Sequence, residues 1–150
     1  MLDDKACSFV AAPASTMATE HEQIIQRGFD AFETADMDAF TADWHPDVVW
    51  DLSHHAAWPG DTDRYVGHGE ILAAFAEFLS GAETLRLDIH ELRELPDGRV
   101  MALYTEWRRE PGETEAVPIE MGIIHTIEEG TVRHMEVHTG HDSARRSAGE

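Results

Sequence analysis

Asp51 lies in Val48-Val49-Trp50-Asp51-Leu52-Ser53-His54, a strand-like run in which it is the one acid among mostly apolar neighbours. A carboxylate placed there is costly unless it has a partner or a task. Desolvation disfavours its charged form and moves it toward the working range of a general base, a role that typically contributes about 10² to 10⁴ in rate. The structural alternative is a bond to backbone or to Tyr65. His54 is a proton partner for Asp51 or else a surface histidine. Ten histidines raise the question of a metal, with His54-His55 and the group His134, His138, His141 and Asp142 as its best material. Zinc needs three or four ligands converging at about 2 Å. On one strand, at about 3.3 Å per residue, His134 and His138 stand roughly 13 Å apart. No paired cysteines and no helical His-x-x-x-His occur, so neither a metal nor another cofactor is expected. A glycine-rich phosphate loop, a nucleophile elbow and a Ser-His-Asp signature are also missing, which leaves nucleotide use and acyl transfer without support.

The elements that must position these groups are legible from periodicity. Thr19 with Glu22 forms a capping box, and Ile24, Ile25, Phe29 and Phe32 recur at helical spacing to about Thr34. Asp36 caps a second helix with Met37, Phe40 and Trp44 on one face, stopped by Pro46. After the Asp51 strand and a loop bearing Trp58-Pro59-Gly60, a third helix places Ile71, Leu72, Phe75, Phe78 and Leu79 on one face, and Gly81 ends it. From Thr84 the pattern turns to strands: Leu85 to Ile89, Val100 to Arg108, Val117 to Ile127 and Val132 to Thr139, separated by Pro96-Asp97-Gly98, Pro111-Gly112 and Glu129-Gly130. Helices first and an antiparallel meander afterwards predict an α+β fold, a curved mixed or antiparallel sheet with three helices of the N-terminal half on its concave face. Residues 1–17 lack either period and read as a disordered tail, with Met17 as an alternative start, and residues 18–150 as one domain. Ile119, Met121 and Ile123 lie on one side of a strand, with Val117 and Ile124 elsewhere. Apolar residues on both faces predict a homodimer packed through the outer sheet face.

Composition narrows the partners. The 150 residues carry 30 acids against 11 Lys plus Arg, a net charge of −19, which repels nucleic acid and anionic membranes. No apolar run approaches the roughly 18 to 20 residues needed to cross a bilayer. Cys7 is the one cysteine, so an internal disulfide is excluded and a cytoplasmic setting is expected.

Several stretches together resemble the SnoaL-like, nuclear-transport-factor-2-like superfamily of cone-shaped α+β barrels. They are Phe29-Asp30-Ala31-Phe32 with Asp36-Met37-Asp38-Ala39-Phe40, His45-Pro46-Asp47-Val48-Val49-Trp50-Asp51, Tyr65-Val66-Gly67-His68-Gly69-Glu70-Ile71, Val117-Pro118-Ile119-Glu120, Glu129-Gly130-Thr131-Val132 and the closing Ala144-Arg145-Arg146-Ser147-Ala148-Gly149. The resemblance is specific for fold and poor for activity, because the superfamily holds isomerases, cyclases, dehydratases, epoxide hydrolases and non-enzymes. Compared with ketosteroid isomerases, Asp51 falls where an acid shuttles a proton, and Glu120 where a protonated acid donates to an oxyanion. The tyrosine donor of their first helix is replaced here by Gly28. In polyketide cyclase relatives an acid or histidine in the same cone serves as general acid/base.

The resemblance implies an apolar pocket walled by Phe29, Phe32 and Phe75, roofed by Trp58 and Tyr65, with His138 where relatives carry a lining aromatic. Strand parity sets the condition: Asp51 inward takes Val49 and Ser53 with it and leaves Val48, Trp50 and Leu52 outside, while Glu120 inward takes Gly122 and Ile124. Arg108 and Arg109 read as surface salt-bridging residues. The reading is thus a cofactor-independent enzyme of isomerase, cyclase or dehydratase type. It would act on a small apolar cyclic or polyketide-like molecule, with Asp51 as base and Glu120 or His54 as acid. A non-catalytic ligand-binding or dimeric scaffold protein of the same fold is the rival.

Overall fold

The computed structural model describes residues 18–150; the expected tail at 1–17 lies outside them. Helix α1 (Glu20–Glu33) starts on the expected capping box, Thr19 Oγ accepting from the Glu22 N–H while the Glu22 carboxylate accepts from the Thr19 N–H. It buries Ile24, Ile25 and Ala31. Helix α2 (Met37–Thr41) is a short turn capped by Asp36. The sequence expected this helix to run on through Trp44, but strand β1 (Trp44–His54) already begins there. Pro46 lacks an N–H and biases its predecessor toward extended backbone, and the β1 ladder is irregular between Trp44 and Val49.

Strand β2 (Arg64–Val66) is a short edge piece on β1, and helix α3 (His68–Ser80) follows, entered through Gly67 at φ 88°. Strands β3 (Thr84–Glu94), β4 (Val100–Arg109), β5 (Val117–Glu128) and β6 (Thr131–Thr139) form the antiparallel meander, and helix α4 (His141–Ser147) closes the described chain. The six strands lie in the order β2-β1-β6-β5-β4-β3. The chain enters the sheet beside its last strand, so β1 runs parallel to β6, and this pair alone makes the sheet mixed.

One face of the sheet packs on α1 to α3, with Val48, Trp50, Ile71, Val100, Met121 and Val137 in the core between. The other face receives α4, whose Ala144 is buried with Leu95, Met101, Leu103 and Ile124. Gly122 makes that approach possible: a Cβ there would stand 2.5 Å from the Ala144 Cβ. The apolar outer positions that led the sequence to a dimer are therefore partly covered from within the chain. Val117 shares the parity of Met121 and Ile123, so it belongs to the inner side, where it remains exposed at 49% at the start of β5. Among the described residues no helix is long and apolar enough to cross a membrane.

Candidate functional site

Between the helices and the inner sheet face lies a cavity of about 110 Å³. Its wall is largely aromatic: Phe29 and Phe32 from α1, Phe75 and Phe78 from α3, Trp50 from β1 and Trp58 from the loop after β1. Trp50 stacks flat on Phe75, centroids 4.3 Å apart at 10°, and meets Trp58 edge-on at 5.2 Å. The loop closes over this end because the Trp58 indole N–H donates to the Tyr65 hydroxyl at 3.1 Å. A Cβ on Gly60 would lie 2.5 Å from both of those atoms, so the loop needs a glycine there.

Of the residues expected at a ligand, Phe29, Phe32, Phe75 and Trp58 line this cavity. Tyr65 supports the lid from behind, and His138 is on the opposite face of the sheet, buried under α4 with its Nδ1 2.7 Å from the Ser143 Oγ.

The inward placement of Asp51 is corrected by strand parity. Trp50 and Leu52 line the cavity, and with Val48 they are 6%, 2% and 0% exposed, so Asp51 points to the outer face. Turning Asp51 inward would expose all three apolar side chains, each worth about 1.5–3 kcal/mol of burial. That sum outweighs any gain from enclosing one acid. On the outer face Asp51 Oδ1 accepts from the Ser53 N–H at 2.9 Å and its Oγ–H at 2.7 Å, and His134 Nε2 lies 3.5 Å from Oδ2. Burial pulls the Asp51 carboxyl up. The two Ser53 bonds, with His134 and Arg64 nearby, outweigh it and hold the group below the ordinary carboxylate range.

Glu120 is likewise outside: Met121 and Ile123 take the inner positions, and the Glu120 side chain is 67% exposed, 3.8 Å from His141 Nδ1. His54 pairs with neither acid. A register shift after Asp51 turns it outward, where it stacks on His138 at 4.5 Å and faces Glu136. Arg109 forms the expected surface pair with Glu83. Arg108 pairs with Glu110 at 3.4 Å, and its guanidinium also lies over Phe78 and donates to the Phe78 carbonyl, tying β4 to the end of α3.

The ionisable groups that do face the cavity are ones the sequence reading missed. Tyr104 and Glu106, two apart on β4, both line it, as do His125 on β5, His55 after β1 and Asp43 before β1, whose carboxylate is paired with Arg27 at 3.3 Å. Glu106 is buried, and among the described residues no donor pairs with its carboxylate. Desolvation pushes its pKa up, with the Arg108 charge pulling weakly the other way. Burial, reinforced by the Glu106 charge, also pushes the Tyr104 hydroxyl up, so it stays protonated as a donor. Burial depresses His125 to about 4 against a bond to the Val100 carbonyl. That carbonyl can only accept, so His125 Nδ1 carries the proton at 3.1 Å and the neutral ring keeps its Nε2 lone pair. His55 is likewise lowered by burial. A carboxyl with a raised pKa beside a phenol donor in an apolar enclosure can take a proton from a bound molecule and stabilise the charge that develops. The signal for these residues was the alternation Ala102, Tyr104, Glu106 along β4, but apolar residues on both faces left its direction open.

Residues 25–135 match the family model described as a SnoaL-like domain. The chain belongs to the SnoaL-like family. No curated protein matches the sequence significantly. Solved structures share the SnoaL-like fold at low identity. TerC, crystallised with polyporic acid, is 20% identical with a TM-score of 0.72, over 88% of this chain and 100% of its own. A nuclear-transport-factor-2-like protein of unknown function from Burkholderia pseudomallei is 20% identical with a TM-score of 0.73, over 86% of this chain and 97% of its own. A proposed polyketide cyclase from Sinorhizobium meliloti is 20% identical with a TM-score of 0.61, over 80% of this chain and 99% of its own.

Proposed function

We propose that this SnoaL-like protein encloses a small apolar ring compound and moves a proton on it without a cofactor, as an isomerase, cyclase or dehydratase. In this reading Glu106 is the base and the Tyr104 hydroxyl is the donor to the developing oxyanion. The observation that carries the proposal is the Glu106 carboxyl, desolvated in a cavity walled mostly by aromatic and aliphatic groups. Asp51, Glu120 and His54 lie on the other side of the sheet and have no part in this reading. Cavity size supports one ring: about 110 Å³ is of the order of the roughly 150 Å³ engineered cavities that admit benzene. A fused-ring or polyketide-like substrate requires the Trp58 loop to open. TerC crystallised with polyporic acid supports small-molecule binding by the fold.

The test is turnover of a panel of cyclic enolisable ketones by wild type and Glu106→Gln. Loss of turnover with ligand binding retained supports the reading. A panel that binds but never turns over favours the rival, a non-catalytic ligand-binding protein, to which the bare Gly28 on the cavity wall also points. The same proposal has two copies meeting through the outer sheet face, which sedimentation velocity tests directly.

A further inference from the structure

The parallel pairing of β1 with β6 places His54 opposite His138, joining residues 84 positions apart in the chain. Glu136, two residues before His138 on β6, projects from the same outer face. His138 Nε2 stands 2.9 Å from Glu136 Oε1, and His54 Nε2 stands 3.5 Å from Glu136 Oε2. One donor atom from each of the three residues lies within 4.8 Å of the others. This cluster is separated by the sheet from the aromatic cavity and plays no part in the proton transfer proposed there.

We propose that His54, Glu136 and His138 form a binding site for a first-row divalent cation of the Zn²⁺ type. The donor chemistry is the two-imidazole, one-carboxylate set that such ions take, with a fourth position left for solvent. The spacing is within reach: tetrahedral bonds of about 2.0–2.1 Å set donor atoms about 3.3 Å apart, and one ligand atom from each of the three residues already lies within 4.8 Å of the others, so small side-chain rotations close the set. The surroundings agree as well. Ser143 Oγ meets His138 Nδ1 at 2.7 Å, which fixes the ring; an ion on Nε2 would replace the proton that Nε2 donates to Glu136, and Ser143 would then accept the remaining proton from Nδ1. Ser147 donates to Glu136 Oε1. Both serines come from α4, so a bound ion ties that helix to β1 and β6. One side is open for entry, since the His54 side chain is 47% exposed while His138 is 2% exposed. The spacing of His134 and His138 along β6, which argued against a metal, does not reach this arrangement because its third member comes from another strand.

The experiment uses the untagged full-length chain, stripped with chelator, and titrates it with Zn²⁺ by calorimetry while following thermal unfolding. Wild type is expected to bind one equivalent saturably and to gain roughly 5 °C or more in Tm at saturating Zn²⁺. His54→Ala, at an exposed position that tolerates truncation, is expected to bind at least about 10-fold more weakly and to lose the Tm gain. Ser143→Ala is expected to weaken binding about 10- to 100-fold, as removal of an orienting partner does. Absence of saturable binding by wild type overturns the proposal. Binding by His54→Ala and Glu136→Gln that equals wild type overturns it too, by locating the ion on other histidines.

Discussion

Replacing Glu106 by Gln alters charge and leaves volume nearly unchanged, so it separates chemistry from packing. If Glu106 is the base, turnover falls by about 10² to 10⁴, which is about 3–5 kcal/mol of transition-state stabilisation. Stability moves the opposite way. The folded-state pKa of Glu106 is raised by burial. Its contribution is therefore full at acid pH and is lost as pH rises through the folded value, so at neutral pH the charged carboxylate opposes folding. Glu106→Gln removes that penalty: the variant should melt higher than wild type at pH 7, with the difference vanishing below about pH 4. Asp51→Asn supplies the contrast. The folded pKa of Asp51 is lowered, so its contribution is present above the unfolded value and is lost on acidification. Removing it should lower stability at pH 7 by about 1.5–3 kcal/mol, the range for hydrogen bonds to a charged group, and leave turnover within a few-fold of wild type. Differential scanning calorimetry from pH 3 to 8, run beside steady-state kinetics, reads both signs at once. A dead but stable Asp51→Asn, together with an active Glu106→Gln, refutes the assignment and restores the acid on β1.

Three further outcomes follow from the same geometry. Gly122→Ala brings a Cβ to 2.5 Å from Ala144 and 3.1 Å from Leu103 Cδ2, and overpacking of this kind costs about 1–3 kcal/mol; a chemical denaturation curve should show the loss, and Ala144→Gly in the same chain should recover part of it. Gly60→Ala collides with Trp58 and Tyr65 and should loosen the lid, raising KM or ligand Kd several-fold with little change in Tm, measured by ligand titration and melting. His125, depressed from 6.5 to about 4, stays neutral in the folded chain while the unfolded chain protonates, so about 3 kcal/mol of stability should fade between pH 6.5 and 4 at about 1.4 kcal/mol per pH unit. An NMR titration in which the His125 ring charges near pH 6.5 contradicts this.

The sequence by itself determined the first and third helices and the four strands of the meander, the Thr19–Glu22 cap, the turns at Gly98 and Gly130, and the family, but not the early start of β1 at Trp44 or the edge strand β2. Each rests on local periodicity, capping chemistry or backbone conformation, with φ 91° and 80° at the two turn glycines. Helical spacing also put Phe29 and Phe32 on one helix face and Phe75 on another, and the family resemblance placed them with Trp58 on one cavity wall, where all four lie. Tertiary structure alone decided which way each strand faces. In β1 and β4 large residues occupy both parities, so the period of two names the alternatives without choosing between them. The choice fell to whichever set buries more apolar area against α1 and α3, which carried Trp50 and Glu106 inward and Asp51 outward. Strand pairing was equally beyond local reading. His54 meets His138, and α4 settles over Gly122, because β1 enters beside β6, a contact made between chain segments that local sequence does not join.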